Sequence, residues 1–441
     1  MKSLISISSF LTLLCSCTTI NKTIDYTNLS SASLTQCNEK LTEVVVQDLF
    51  NPPVASRIYA YPNIAAYETL INGYPSYRSF HGQLNDMIQM PAPDKTKQYD
   101  FSIAALFAFT EVAKKLIYTE YLFIDYEKYL TDSLQKITDD ELLENSIKFG
   151  KQVADSIKKW AAKDMFKETR GMTRYSLIDS AWAWKPTPPD YLPALEPHWG
   201  KVRPFVIKSP DDFLVSPPPV SFSKDKNSEH FKFTKEVYDF VNNTNDELKD
   251  IAVFWDCNPN VSTHTGHLTI FNQKMTPGGH WISIALLASR MKNANMMQTA
   301  EAVSCTAITL ADAFISCWNA KYKYNTIRPV TEITETFDHN WLPMLQTPPF
   351  PEYPSGHSTI SAAAAIMLTH IYGDNFAFTD SSEAPFGLPI RSFTSFNQAA
   401  DEVSISRVYG GIHYRFSCDA ANKNGKEIAS YIINNIKTKT Q

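Results

Sequence analysis

Apolar residues recur at three- and four-residue spacing along most of the 441-residue chain. That is the period of a helix that turns one face to a core. The pattern predicts helices over Leu41–Leu49, Ala55–Ile71, Phe101–Tyr121, Tyr126–Ile137 and Asp140–Ala162. Asp139-Asp140-Glu141 precede the last of these, with negative charge at the end of the dipole that favours it. The pattern resumes over Glu229–Asn242, Asp246–Phe254, Gly279–Lys292, Met297–Trp318, Ser358–Ile371, Phe396–Tyr409 and Cys418–Ile436. Period-two alternation is scarce, and no internal repeat is visible. The expected fold is therefore all-α: a helical bundle over 37–165, a second over 229–437, and an irregular connection over 166–228. Residues 186–219 hold 10 of the 26 prolines, and no helix survives that density. Trp182, Trp184 and Trp199 lie in or beside this stretch, so it is expected to pack on a surface rather than to hang as a free linker.

One apolar run has a different character. Met1-Lys2 is a short basic start, Leu4 to Leu14 is apolar, and Leu14-Cys15-Ser16-Cys17 follows. The stretch resembles a bacterial lipoprotein signal, with residues 1–16 removed, Cys17 lipidated and 17–36 forming a polar tether. The plainer alternative is a secretory signal peptide with a chance cysteine. Either way an exported protein is expected, in the first case held to a membrane, in the periplasm or at the cell surface, by its lipid. No later stretch reaches ~18 uninterrupted apolar residues. The other cysteines, Cys37, Cys257, Cys305, Cys317 and Cys418, lack metal-finger spacing. Cys305 and Cys317 share one predicted helix, about 18 Å apart, and cannot pair with each other. Bridging of Cys257 or Cys418 is left open.

Composition narrows the function. A chain 44% hydrophobic and 20% charged is globular, and a net charge of −5 offers no broad basic field for nucleic acid. With 14 glycines there is neither a G-x-x-x-x-G-K-[ST] loop nor a G-x-G-x-x-G turn. Any anion chemistry must come from a local cluster of cations.

Three segments offer such a cluster. In Lys321-Tyr-Lys-Tyr-Asn-Thr-Ile-Arg328-Pro329 the two cations are seven residues apart, one face of a helix that the proline ends. In Pro354-Ser355-Gly356-His357 a turn feeds an Ala-rich helix. Gly356 lets a backbone N–H approach an anion, Ser355 adds a hydroxyl, and His357 stands in the first turn. In Ser406-Arg407-Val-Tyr-Gly-Gly-Ile-His413 a helix ends at Gly410-Gly411 and a histidine follows. Each segment alone has a bland explanation: a solvated basic face, an ordinary N-cap, a capped helix end. Taken together they predict a cavity for a multiply charged tetrahedral oxyanion, phosphate or its near-isostere vanadate.

The order K-x6-R-P, P-S-G-H, S-R-x5-H resembles the signature of the vanadium-dependent haloperoxidase and type-2 phosphatidic acid phosphatase superfamily. Ala311-Asp312-Ala313 with Trp318-Asn-Ala-Lys321, Pro348-Pro-Phe350-Pro-Glu-Tyr, and Pro53-Val-Ala-Ser-Arg57 with Ala65-Ala-Tyr67 are similar to the soluble bacterial haloperoxidase branch. The resemblance spans about residues 37–437 and implies two bundles of the vanadium haloperoxidase type. It implies that His413 bonds vanadium, that Lys321, Arg328 and Arg407 neutralise the other oxygens with Ser355 and Gly356, and that His357 is the acid/base. Trp318 and Phe350 would line the halide side, unless they are simple core. Lys321, His357 and His413 would then be the catalytic residues.

The activity implied is peroxide-driven oxidation of halide, iodide or bromide before chloride, to a hypohalous acid equivalent. The alternatives are an acid phosphatase that uses His413 as a phosphorylated nucleophile, needing no vanadate, and an oxyanion-binding lipoprotein without turnover. Expected partners are small anions (halide, peroxide, vanadate or phosphate) and a membrane through the lipid only. A homodimer through the bundles is compatible with the sequence. Asp312, nine residues before Lys321, is placed either to brace a cation of the site or on an exposed face. His264-x-x-His267 with His280 makes a weak zinc pattern, lacking the Glu of H-E-x-x-H; ordinary polar packing or a place at the rim of the site is the alternative.

Overall fold

A computed structural model describes residues 31–259, 261–271 and 273–440. Cys17 and the segment before it lie outside the described residues. The first half contains α1 (Ser31–Gln47), α2 (Pro52–Leu70), α3 (Phe101–Leu116), α4 (Tyr121–Leu134), α5 (Asp140–Ala161) and the single turn α6 (Phe166–Thr169). The second contains α7 (Glu229–Asn242), α8 (Asp246–Phe254), α9 (Pro277–Met291), α10 (Met296–Tyr324), α11 (Pro329–Thr336), α12 (Gly356–Tyr372), α13 (Phe396–Tyr409) and α14 (Arg415–Asn435). Two small antiparallel hairpins interrupt it, β1 (Ser262–Thr265) with β2 (Leu268–Phe271), and β3 (Phe378–Asp380) with β4 (Arg391–Phe393).

Local chemistry sets the ends. Asn51 caps α2 by accepting from the Val54 N–H, and Pro52 and Pro53 occupy the first turn, where no N–H is missed. Asn295 and Gln298 form a reciprocal capping box on α10. α5 is amphipathic, acidic at its start and basic at its end. α2 is buried along its whole length, and α10 along nearly all of it. α10 has the length and hydropathy of a membrane span, yet its apolar window lies wholly inside protein. It is the central core helix. α2 packs on it from the first half, so one continuous apolar core runs through both blocks. α12 and α14 approach so closely that a Cβ on Gly425 would meet the Thr359 carbonyl at 2.1 Å.

The Pro-rich stretch wraps this core. Trp184 and Trp199 are buried, while Trp182 is 43% exposed. Two strands of loop lie side by side: the Trp184 N–H donates to the Asn325 carbonyl (3.0 Å) and the Ile327 N–H to that of Trp182 (2.8 Å). Asp312 fastens the stretch elsewhere. The sequence places it either bracing a cation or on an exposed face; it does neither. Fully buried, it accepts from the backbone N–H groups of Phe205, Val206 and Ile207 at 2.6, 2.8 and 2.9 Å. Burial pushes its carboxyl up to about 6, against those three donors. A loop without secondary structure has no other acceptor for these groups. Asp312→Ala is therefore expected to cost about 3 kcal/mol or more, one unit per orphaned donor, read as a thermal midpoint several degrees lower. An unchanged midpoint would overturn this role.

Candidate active site

Lys321 lies in the last turn of α10, fully buried. The sequence puts Lys321 and Arg328 on one helical face. In the structure α10 stops first, at Asn325 in the left-handed region (φ 51°), and Arg328 sits in extended backbone as the cap of α11. The reason is Pro329, which disfavours a helical residue before it and fills the first position of the next helix. The sequence also predicts Lys321 as a donor to the oxyanion. Its Nζ donates to the carbonyls of Pro351, Glu352 and Pro354 at 3.0, 2.9 and 2.5 Å. Lys321 thereby holds the 351–354 loop and brings its charge to the site. Burial drives its ammonium down to about 7, and the Arg328 charge pushes the same way.

Arg328 donates to the Phe350 carbonyl (2.9 Å) and the Ile412 carbonyl (2.8 Å), and its Nη1 lies 3.3 Å from His413 Nε2. Arg407, near the end of α13, donates to the Ser406 hydroxyl (2.9 Å) and the Ala252 carbonyl (3.3 Å). Both guanidinium groups are fully buried, and burial lowers both from their ordinary values, Arg328 to about 10.

Ser355 caps α12, accepting from the Ser358 N–H (3.4 Å) and hydroxyl (2.8 Å). Gly356 opens the helix, and a Cβ there would sit 3.2 Å from the Trp318 ring and 3.8 Å from Lys321 Cε. A side chain at 356 would crowd the start of α12 against Trp318. Trp318 and Phe350 are buried with ring centroids 4.9 Å apart, and the Lys321 ammonium is 5.7 and 5.0 Å from them.

His413 lies on the turn after Gly411, whose φ of 80° suits only glycine without strain. Its Nδ1 is 2.6 Å from Glu352 Oε1, and Glu352 also accepts from the Tyr414 N–H at 3.2 Å. A carboxylate acceptor puts the proton on Nδ1 and leaves Nε2 as an acceptor, here towards Arg328 Nη1. Burial, followed by the charges of Arg328, Lys321 and Arg407, holds His413 well below the usual imidazole range. Burial and the charges of Arg407 and Lys321 do the same to His357. Glu352 is pushed up to about 7 by burial, with the two nearby cations opposing.

The residues fit a bound oxyanion. Among the described residues, Arg328 Nη2, Arg407 Nη1 and His357 Nε2 are buried without a partner. Two orphaned guanidinium N–H groups and a depressed lysine are costly side by side, and a multiply charged anion is the group that relieves them.

Other predicted residues lie apart. His264 and His267 are exposed on the β1–β2 hairpin, where His264 Nε2 pairs with Asp190 at 2.6 Å. His280 is buried in the first turn of α9. The cluster of metal-ligating groups found among the described residues contains His280 and neither of the others. Among the described residues, Cys37, Cys257, Cys305, Cys317 and Cys418 are all buried and unbridged.

A family model described as the VCPO second helical-bundle domain matches residues 301–441. Among solved structures, one described as the first bacterial vanadium-dependent iodoperoxidase is 43% identical, with a TM-score of 0.90 over 94% of this chain and 98% of that one. Holo and apo forms of a bacterial vanadium-dependent chloroperoxidase, each 16% identical, superpose with TM-scores of 0.68 and 0.66. They cover 89% and 88% of this chain and 94% and 95% of their own, a likeness of fold. No curated protein matches the chain.

Proposed function

The chain belongs to the vanadium-dependent haloperoxidase family, enzymes of the peroxidase class, and we propose that it oxidises iodide, or bromide, with hydrogen peroxide to a hypohalous acid equivalent. The observation that carries this reading is the set of buried donors without acceptors among the described residues, Arg328 Nη2 and Arg407 Nη1, beside a His413 whose Nε2 lies 3.3 Å from Arg328 Nη1 while Glu352 holds its Nδ1. Vanadate, when bound, supplies an oxidised Lewis acid that polarises peroxide.

The protein groups do the rest. His413 Nε2 would be the protein's ligand to the bound group, and Arg328 and Arg407 would donate to it. Ser355 and the Gly356 N–H close the same side at the positive end of α12. Burial, followed by the neighbouring cations, holds His357 well below the usual imidazole range, and a neutral imidazole can take a proton from peroxide. With those cations neutralised, His357 would hold that proton and return it. Trp318 and Phe350 form an apolar wall beside the Lys321 charge, a setting that suits a large, weakly hydrated halide. The likeness to an iodoperoxidase supports iodide as the preferred halide.

The direct test strips the purified protein of metal, adds orthovanadate, and follows iodide, bromide and chloride oxidation with peroxide, with phosphate-ester hydrolysis in parallel without vanadate. Vanadate-dependent oxidation, fastest with iodide, is expected. Robust ester hydrolysis without halide oxidation would replace this reading with a phosphatase.

A further inference from the structure

Away from the oxyanion site, three side chains from distant parts of the chain meet in the core. Cys257 follows α8, His280 lies in the first turn of α9, and Glu383 follows β3; all are buried. Cys257 Sγ is 3.3 Å from His280 Nδ1 and 3.6 Å from Glu383 Oε1, and Nδ1 is 3.3 Å from Oε1. Donors on one face of a tetrahedral zinc site are spaced by about 3.3–3.6 Å, given the usual Zn–S, Zn–N and Zn–O lengths. The triangle has those dimensions.

The other ring nitrogen of His280 is also fixed. Nε2 lies 2.7 Å from Asp380 Oδ2. Asp380 in turn accepts at Oδ1 from the Ser382 N–H (3.0 Å) and hydroxyl (2.6 Å). The imidazole is stacked on Trp255, centroids 4.8 Å apart. Carboxylates flank both ring nitrogens, Glu383 at Nδ1 and Asp380, closer, at Nε2; an ion bound at Nδ1 takes the place of the proton there, and Asp380 holds the one on Nε2. This is the outer-shell arrangement that orients metal-binding histidines. A thiolate, a carboxylate and a neutral imidazole around a divalent ion sum to zero charge, which suits a buried place.

We propose that Cys257, His280 and Glu383 bind a structural divalent transition-metal ion, zinc by its mixed sulfur, nitrogen and oxygen donors, with Asp380 orienting His280. A second Glu383 oxygen or a water completes the coordination. Binding releases the thiol proton, together with any proton held between His280 and Glu383. The ion ties the end of α8 to α9 and to the segment after β3. The Ala252 carbonyl of α8 also holds Arg407, so the ion would steady that arm of the oxyanion site from outside it.

The test uses the full-length wild-type protein, stripped with chelator and given one equivalent of Co²⁺. One bound ion per chain is expected, with a thiolate-to-cobalt charge-transfer band, tetrahedral d–d bands, and displacement by Zn²⁺. Cys257→Ser should lose the charge-transfer band, Asp380→Asn should weaken Zn²⁺ binding roughly 10–100-fold, and His413→Ala should leave both unchanged, separating this site from the oxyanion site. Wild-type protein that retains neither Co²⁺ nor Zn²⁺ after dialysis would overturn the proposal, as would an unaltered cobalt spectrum in Cys257→Ser. The wild-type arm stands even if a variant fails to fold.

Discussion

His413→Ala is expected to weaken vanadate binding by more than ~100-fold, the upper range for a residue one shell further from the metal, and to take halide oxidation to background. The expectation rests on geometry. The Glu352 carboxylate fixes the His413 proton on Nδ1, so Nε2 is an unprotonated donor among three buried cations. His280 is also fixed by a carboxylate, but its other nitrogen faces Cys257 and Glu383, and His357 Nε2 is unpartnered among the described residues. The change should leave the fold intact. Arg328 Nη1 keeps the Ile412 carbonyl and Glu352 keeps the Tyr414 N–H when the ring is removed. The cavity left behind has the size and surroundings for free imidazole, and added imidazole should restore part of the activity. Vanadate titration, halide oxidation and circular dichroism on the same sample decide the matter. A folded variant with wild-type turnover at matched vanadate would remove His413 from the centre.

The helices were legible because each buries one face, and such a face leaves a 3.6-residue rhythm. α11 escaped that reading because its first residue, Pro329, also reads as a helix stop; here it is a start. The segment around His264 has no helical rhythm, and it forms a hairpin whose side chains are largely exposed. The site cations and histidines stood out as charged or titratable residues next to glycine and proline. Glu352 did not. It lies 61 residues from the ring it orients, in a stretch of proline and aromatic residues where one acid looks incidental. The usable signal was there: an acid among residues suited to burial needs a buried partner. Asp312 shows the opposite error. Its spacing from Lys321 pointed to a cation, but its acceptors were needed by an irregular loop more than a hundred residues away in sequence. The Cys257, His280 and Glu383 group spans even more chain, and no local spacing announces it.

Glu352→Gln should separate the two things that a vanadate site does, attracting an anion and bonding its central atom. The carboxylate is the buried counter-charge to Arg328 and Lys321. Its removal makes the site more positive and should leave phosphate binding as tight as before, or tighter. Phosphate is held by charge and hydrogen bonds alone. Vanadate needs in addition a basic Nε2 on His413. A neutral amide polarises Nδ1–H less than a carboxylate does, and turned around it would donate to Nδ1 and push the proton onto Nε2, blocking the bond altogether. The ratio of vanadate to phosphate affinity should therefore fall roughly 10–100-fold, the range for an outer-shell partner of a metal-bound histidine. Competition of the two anions, measured by calorimetry on one preparation, reads this ratio directly. A variant that merely loosened the fold would lose both affinities together, and a variant with the wild-type ratio would mean that Glu352 braces the loop without tuning the ring.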